Sequence, residues 1–139
     1  SGGHFWKSAA EEAEVWKIIA QLLACPAKKI AQNAQFDISH LALHGCKVNN
    51  VKVDTMLLQN ILYPELEKSL ATLTMLYTDI PYYKDKGRQL FGKKNEKNWQ
   101  GAQSDIDLWD YNIVDCLSAA EAAEKQLIDL AEIARRQRI

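Results

Sequence analysis

No apolar run in the sequence approaches the roughly 20 residues needed to cross a bilayer, and nothing in it reads as a signal peptide. A charge excess is missing too: 17 Lys and Arg stand against 18 Asp and Glu. Overall charge therefore draws the chain neither to nucleic acid nor to a membrane, and any such affinity must come from local patches. Cys25, Cys46 and Cys116 are odd in number, far apart and in no C-x-x-C pair, which excludes a disulfide frame or a cysteine metal cluster. They read as reduced thiols packed as small hydrophobes in a cytoplasmic protein. There is no internal repeat and no low-complexity tract. Residues 1–7 carry no acid and no strand pattern, and Ser1-Gly2-Gly3 resembles a cleavage scar, so this stretch is read as a scar or leader. What is present has the apolar and charged content of one ordinary globular domain, or most of one.

Start and stop signals divide the chain into short elements. Ser8-Ala9-Ala10-Glu11 is a capping box. Val15, Ile18, Ile19, Leu22 and Leu23 follow at helical spacing, and Pro26 stops the run. Lys28 to Ala31 is a short strand of the buried parallel kind. A helix from about Phe36 to His44 ends at Gly45 in the left-handed cap position. Val48, Val51 and Val53 lead to Asp54, which reads as the N-cap of a helix carrying Met56, Leu57, Ile61 and Leu62. Ser69 to Tyr77 forms another helical face. From Tyr82 to Gly101 periodicity is lost in a basic loop holding Lys84, Lys86 and Arg88. A long helix then runs from near Asp105 toward Arg135, with Ile113, Leu117, Ala120, Ala123, Leu127 and Leu130 as its expected inner seam. Helices alternating with two strands predict an α/β unit with a small parallel sheet. So small a sheet is marginal by itself, and its open edge is expected to pair with a second copy.

Two acids stand where chemistry could be built. Asp37 follows "AQNAQF" at a strand-to-helix junction, the end of a strand where α/β folds place their sites. In "WDYNIVDC", Tyr111 and Asp115 are four apart and share a helix face. Two carboxylates from separate segments are the minimum for Mg²⁺ or Mn²⁺, which take hard oxygen ligands. Spacing alone leaves the alternative open: Asp37 as a helix cap and Asp115 as a solvated charge. The basic loop, with Tyr82, Tyr83 and Trp99 nearby, reads equally as a grip on phosphates with stacked bases or as a solvated loop. His40 and His44, four apart without a third ligand, are assigned to surface or packing roles.

Taken together, "QNAQFD", "VDTMLLQNILYPELEKSLATLTMLY" and "DYNIVDC" resemble the 3′–5′ exonuclease (proofreading) domain of family A DNA polymerases, a DnaQ-like exonuclease of ribonuclease H-like fold. Asn33, Phe36 and Asp37 match its second motif; Tyr111 and Asp115 match its Tyr-x-x-x-Asp motif in the tyrosine subtype. The resemblance implies a two-metal hydrolysis of phosphodiester bonds at DNA 3′ ends. Asp37 and Asp115 become metal-binding catalytic carboxylates, and Tyr111 orients the attacking water. Gln32 and Asn33 lie near the substrate strand or fix the loop. Lys84, Lys86 and Arg88 become contacts to a single-stranded 3′ end.

The family's first motif, Asp-x-Glu on an early strand, has no counterpart in residues 1–7, and Glu11, Glu12 and Glu14 lie on the first helix. The resemblance therefore implies a partial fold with its first strands missing, residues 8–139 forming the C-terminal part of such a domain. Weak or no activity is expected of this chain by itself, completed by a missing segment or a polymerase domain. The alternative is a non-catalytic module of the same fold that binds nucleic acid or a polymerase partner.

Overall fold

The computed structural model describes residues 6–84 and 105–137. The elements in chain order are α1 (Ala9–Ala24), β1 (Lys29–Ala31), α2 (Ala34–Leu43), β2 (Val51–Asp54), α3 (Thr55–Leu62), α4 (Leu70–Tyr77) and α5 (Asp105–Arg136). β1 and β2 pair in parallel across the α2 connection. Their register sets Lys29 against Val51, Ile30 against Val53 and Ala31 against Asp54, with an irregularity at Lys29 and Ile30. This is a helix-rich α/β arrangement with a small parallel sheet, as the alternation of elements in the sequence predicts.

Local chemistry starts each helix where the sequence places it. The Ser8 hydroxyl accepts from the Glu11 amide at 3.1 Å, and the Glu11 carboxylate reaches back to the Lys7 amide at 2.7 Å. The reciprocal bond of the capping box thus lands one residue earlier than its usual target. Ser69 accepts from the Thr72 amide at 3.3 Å and starts α4. At the end of α1, the Asn49 side chain donates to the Ala24 carbonyl at 2.7 Å, taking up a carbonyl with no partner inside the helix.

The packed part lies where α5 crosses α3 and α4. Leu73, Tyr77 and Ala122 form its apolar centre, with Tyr63 against them. Around them is a buried polar network. The Tyr77 hydroxyl donates to Gln59 Oε1 at 3.0 Å; Gln126 Nε2 donates to the same oxygen at 3.0 Å and to the Thr55 carbonyl at 3.1 Å.

Two apolar faces depart from expectation. α5 buries Ser118, Ala122, Ala123 and Gln126, whereas Ile113, Leu117, Ala120 and Leu127 are exposed. Small residues let α5 approach α3 and α4 closely, and that close approach selects a seam different from the larger aliphatic one. α1 buries none of its residues, and Ile18 and Leu22 are 55% and 66% exposed. Cys46 is buried as expected, but Cys116 is exposed, and all three thiols are free. Packing does occupy both helical histidines: His44 stacks on Trp16 with ring centroids 5.0 Å apart, and His40 lies tilted on Phe36 at 4.2 Å. No helix among the described residues is long and apolar enough to cross a membrane.

Candidate active site

The turn from β1 into α2 is built by a residue twenty positions away. Asn33 occupies the N-cap position of α2 in the left-handed region, φ 59°, and its side chain makes no cap bond. Asp54, at the end of the neighbouring strand, supplies the cap instead. One oxygen of its carboxylate accepts from the Asn33 amide at 3.1 Å and the other from the Ala34 amide at 2.7 Å. The first oxygen also accepts from Met56 at 2.9 Å and Leu57 at 3.4 Å, capping α3. A single carboxylate thus closes the N-termini of two helices, where negative charge suits both dipoles. Asp54 is a scaffold residue, and it fixes the direction in which α2 carries Asp37 away from the sheet.

Gln32 is fixed in the same way. Its amide nitrogen donates to the Lys68 carbonyl at 2.8 Å, and its amide oxygen accepts from the Thr55 hydroxyl. These bonds join β1 to the segment before α4 and to the start of α3. Asn33 owes its place to a backbone conformation that Asn tolerates better than most residues.

Above these turns lies a groove of about 1030 Å³. Ile30 to Asn33 and Asp37 form one wall, Lys68 to Leu70 and Met56 another, and Asn112, Asp115, Cys116, Ala119 and Ala120 of α5 the third; Lys84 also lines it. The α5 residues recur every three or four positions, so one helical face presents them. Asp37 and Asp115 therefore face one groove from different elements.

Their surroundings differ sharply. Asp37 is exposed in the first turn of α2. Asp115 is held by three neighbours. The Tyr83 hydroxyl donates to its Oδ1 at 2.5 Å, and the same hydroxyl lies 3.4 Å from Ser118 Oγ. The Lys84 ammonium forms an ion pair with the same carboxylate oxygen. Lys84 also donates to the Tyr111 hydroxyl at 3.1 Å, which brings Tyr111 into the cluster. The rings of Tyr83 and Tyr111 meet edge to face at 5.6 Å, and the ammonium lies 4.8 Å from each ring centre. Burial pushes the Tyr83 phenol up, its bond to Asp115 adds to this, and Ser118 works against it. Burial alone would lower the Lys84 ammonium; the bonds to Asp115 and Tyr111 and the charge of Asp115 outweigh it and raise the group above its ordinary value.

Asp37, Asp115, Gln32, Asn33 and Lys84 all line the groove, and Tyr111 joins through Lys84. Lys86 and Arg88 lie outside the described residues, as does Trp99. Tyr83 is buried against Asp115, which removes it as a surface for stacking a base; Tyr82 is exposed. Tyr83 is a site residue that the basic character of its neighbourhood concealed. The step from Ile80-Pro81 into two successive tyrosines was the available signal. As donors, two carboxylates on one groove suit a hard divalent cation. Among the described residues no group of three or more His, Cys, Asp or Glu gathers to hold a metal ion.

The family model for the 3′–5′ exonuclease domain of family A DNA polymerases matches residues 4–105. The chain belongs to this 3′–5′ exonuclease family. The match runs from ahead of α1 through β1, α2, β2, α3 and α4 to the first residue of α5, so Asp37 falls inside it, and the rest of α5, with Tyr111 and Asp115, lies beyond it. No curated protein and no solved structure matches the chain. Membership sets the context as nucleic acid and a polymerase, in a family generally dependent on divalent metal ions.

Proposed function

We propose that the chain is the C-terminal part of a 3′–5′ exonuclease domain that hydrolyses phosphodiester bonds at DNA 3′ ends, with a single-stranded end as substrate. The observation that carries this reading is the facing of Asp37 and Asp115 into one groove from α2 and α5. Mg²⁺ or Mn²⁺, two ions in the complete domain, would supply charge stabilisation at the phosphate and a more acidic water. Asp37 and Asp115 would hold part of that set. Tyr111 would orient the attacking water through its hydroxyl. Lys84, together with Lys86 and Arg88, would meet the phosphates as point charges. Gln32 and Asn33 would lie beside the substrate strand or fix the loop.

Weak activity follows from the donor set. Two carboxylates are few for two ions, and one of them is already paired with Lys84. That ion pair also supports the second reading, in which the same groove holds nucleic acid or a polymerase partner without cleaving.

A 5′-labelled single-stranded oligonucleotide incubated with the chain and Mn²⁺ decides between them. Slow shortening from the 3′ end, abolished by Asp115→Asn and by Asp37→Asn, is the expected result. Retention of the oligonucleotide without shortening selects the binding module. Neither shortening nor retention sinks both.

A further inference from the structure

The Lys84 ammonium sits in a place built for a cation. A carboxylate oxygen of Asp115 pairs with it, the Tyr111 hydroxyl accepts from it at 3.1 Å, and two aromatic rings lie 4.8 Å from it. Rings attract cations through their electron-rich faces, and a carboxylate does so through its charge. The lysine and aspartate side chains are only 18% and 29% exposed, so water screens this pair less than it would a surface pair. The carboxylate oxygen concerned is Oδ1, which also accepts from Tyr83. Both carboxylate and ammonium line the groove that Asp37 also lines.

An incoming divalent ion and this ammonium need the same oxygen. They repel each other, and both are attracted by the same aspartate. The lysine differs from an ion in being tethered: its effective concentration at Asp115 is set by the chain and does not fall on dilution. It also has somewhere to go, because its four-carbon stem is flexible and its charge suits a phosphate in the same groove.

We propose that Lys84 is a tethered counter-ion of the groove, which neutralises Asp115 in the metal-free chain and must leave Asp115 before a divalent ion binds there. The proposal rests on the reading that this groove takes a divalent ion. It adds that ion binding and the Lys84–Asp115 pair exclude each other. Metal binding then frees a positive charge beside the substrate strand, coupling arrival of the ion to a grip on phosphate.

The test is Mn²⁺ affinity of the 139-residue chain, read from the electron paramagnetic resonance of free Mn²⁺. Lys84→Met keeps most of the side-chain length and removes the competing charge. It is expected to bind Mn²⁺ roughly tenfold more tightly than the unmodified chain, as befits a largely buried ion pair. The gain is expected to vanish in Lys84→Met/Asp115→Asn. Lys84→Met binding no tighter than the unmodified chain overturns the proposal, as does a gain that survives Asp115→Asn.

A second measurement needs no variant. Reductive methylation of Lys84, followed by mass spectrometry, is expected to be several-fold slower than that of exposed Lys52 in chelator and to catch up in Mn²⁺. Equal rates in chelator overturn the proposal. The nuclease reading fails separately: a Lys84→Met gain without any oligonucleotide shortening defeats cleavage and leaves the competition standing. Shortening without a gain does the reverse.

Discussion

The two halves of the molecule are held by different means. Where α5 crosses α3 and α4, Leu73, Ala122, Gln59 and Gln126 are fully removed from water, and Gln59 Oε1 accepts from both Tyr77 and Gln126. Among α1, β1, α2 and β2, the buried side chains are small ones such as Ala34 and Cys46, and backbone and capping bonds do most of the holding. The difference teaches what each half can offer the groove. The α5 side presents Asp115 from the helix that packs on α3 and α4, with Tyr83 and Lys84 bonded to it. The sheet side presents Asp37 from a helix whose position depends on the Asp54 carboxylate. A site shared by two such halves is no firmer than its looser wall.

The comparison breaks most completely if the packed half is emptied. Leu73 is fully buried at the centre of α4. Leu73→Ala removes its contacts and leaves a void, which costs about 2–5 kcal/mol. In a domain of this size that is a large share of the total. Urea denaturation followed by circular dichroism should show an earlier midpoint at unchanged slope. A loss below about 1 kcal/mol would mean that the crossing of α4 and α5 does not hold the fold together.

Asp54 tests the joint between the halves. Asp54→Ala withdraws an acceptor from four backbone amides at once. Loss of a cap costs about 0.5–2 kcal/mol, and the partly buried amides of Asn33 and Ala34 add to this, for a total of about 2–3 kcal/mol. The distinctive outcome is spatial. Hydrogen exchange should quicken in α2 and the start of α3 together, while α4 and the second half of α5 keep their protection. Uniform acceleration would show that the two halves unfold as one unit.

A third, smaller effect separates the halves by pH. Burial first, then the charges of Asp129 and Tyr63, raise the Tyr77 phenol above its ordinary value of 10.0, with Gln126 opposing. A raised folded value means that the fold favours the protonated phenol. Its contribution is fully present below pH 10 and is lost as pH rises through the folded value. Denaturant midpoints should therefore fall on the alkaline side of pH 10, and Tyr77→Phe should flatten part of that fall. An identical alkaline profile for the phenylalanine variant would remove Tyr77 as its source.

Much of this architecture is legible in local chemistry. Ser8, Asp54 and Ser69 each announce a helix start, and each side chain accepts from the first turn that follows it. The two strands are foreseeable because short β-branched runs and strand-to-helix junctions are short-range patterns; Asp37 and Asp115 are singled out by the family resemblance, since spacing alone leaves the first open as a cap and the second as a solvated charge. Contacts across the chain were not. Asp54 reads as one cap and is two, since nothing near Asn33 says that its helix lacks a cap of its own. Lys84 reads as one charge in a basic loop, and only the fold brings it to Asp115, 31 positions away. Periodicity likewise announces apolar stripes on α1 and α5 but cannot choose which stripe is covered. On α5 close approach to α3 and α4 chooses the small residues.

α1 supplies the smallest expected effect and the sharpest contrast with Leu73. Leu22 has the same side chain on an equally regular helix, yet is 66% exposed. Burial area, not residue type, sets the contribution of a leucine. Leu22→Ser should therefore change the unfolding free energy read from urea denaturation by no more than about 0.5 kcal/mol, against several for Leu73→Ala. The comparison has a second readout. An exposed aliphatic stripe including Ile18 and Leu22 promotes association at raised concentration. Leu22→Ser should lower any concentration dependence in sedimentation while leaving the denaturation midpoint of dilute protein in place. A loss of about 2 kcal/mol or more in unfolding free energy would mean that Leu22 is covered in solution, and the open half would have to be redrawn as a packed one.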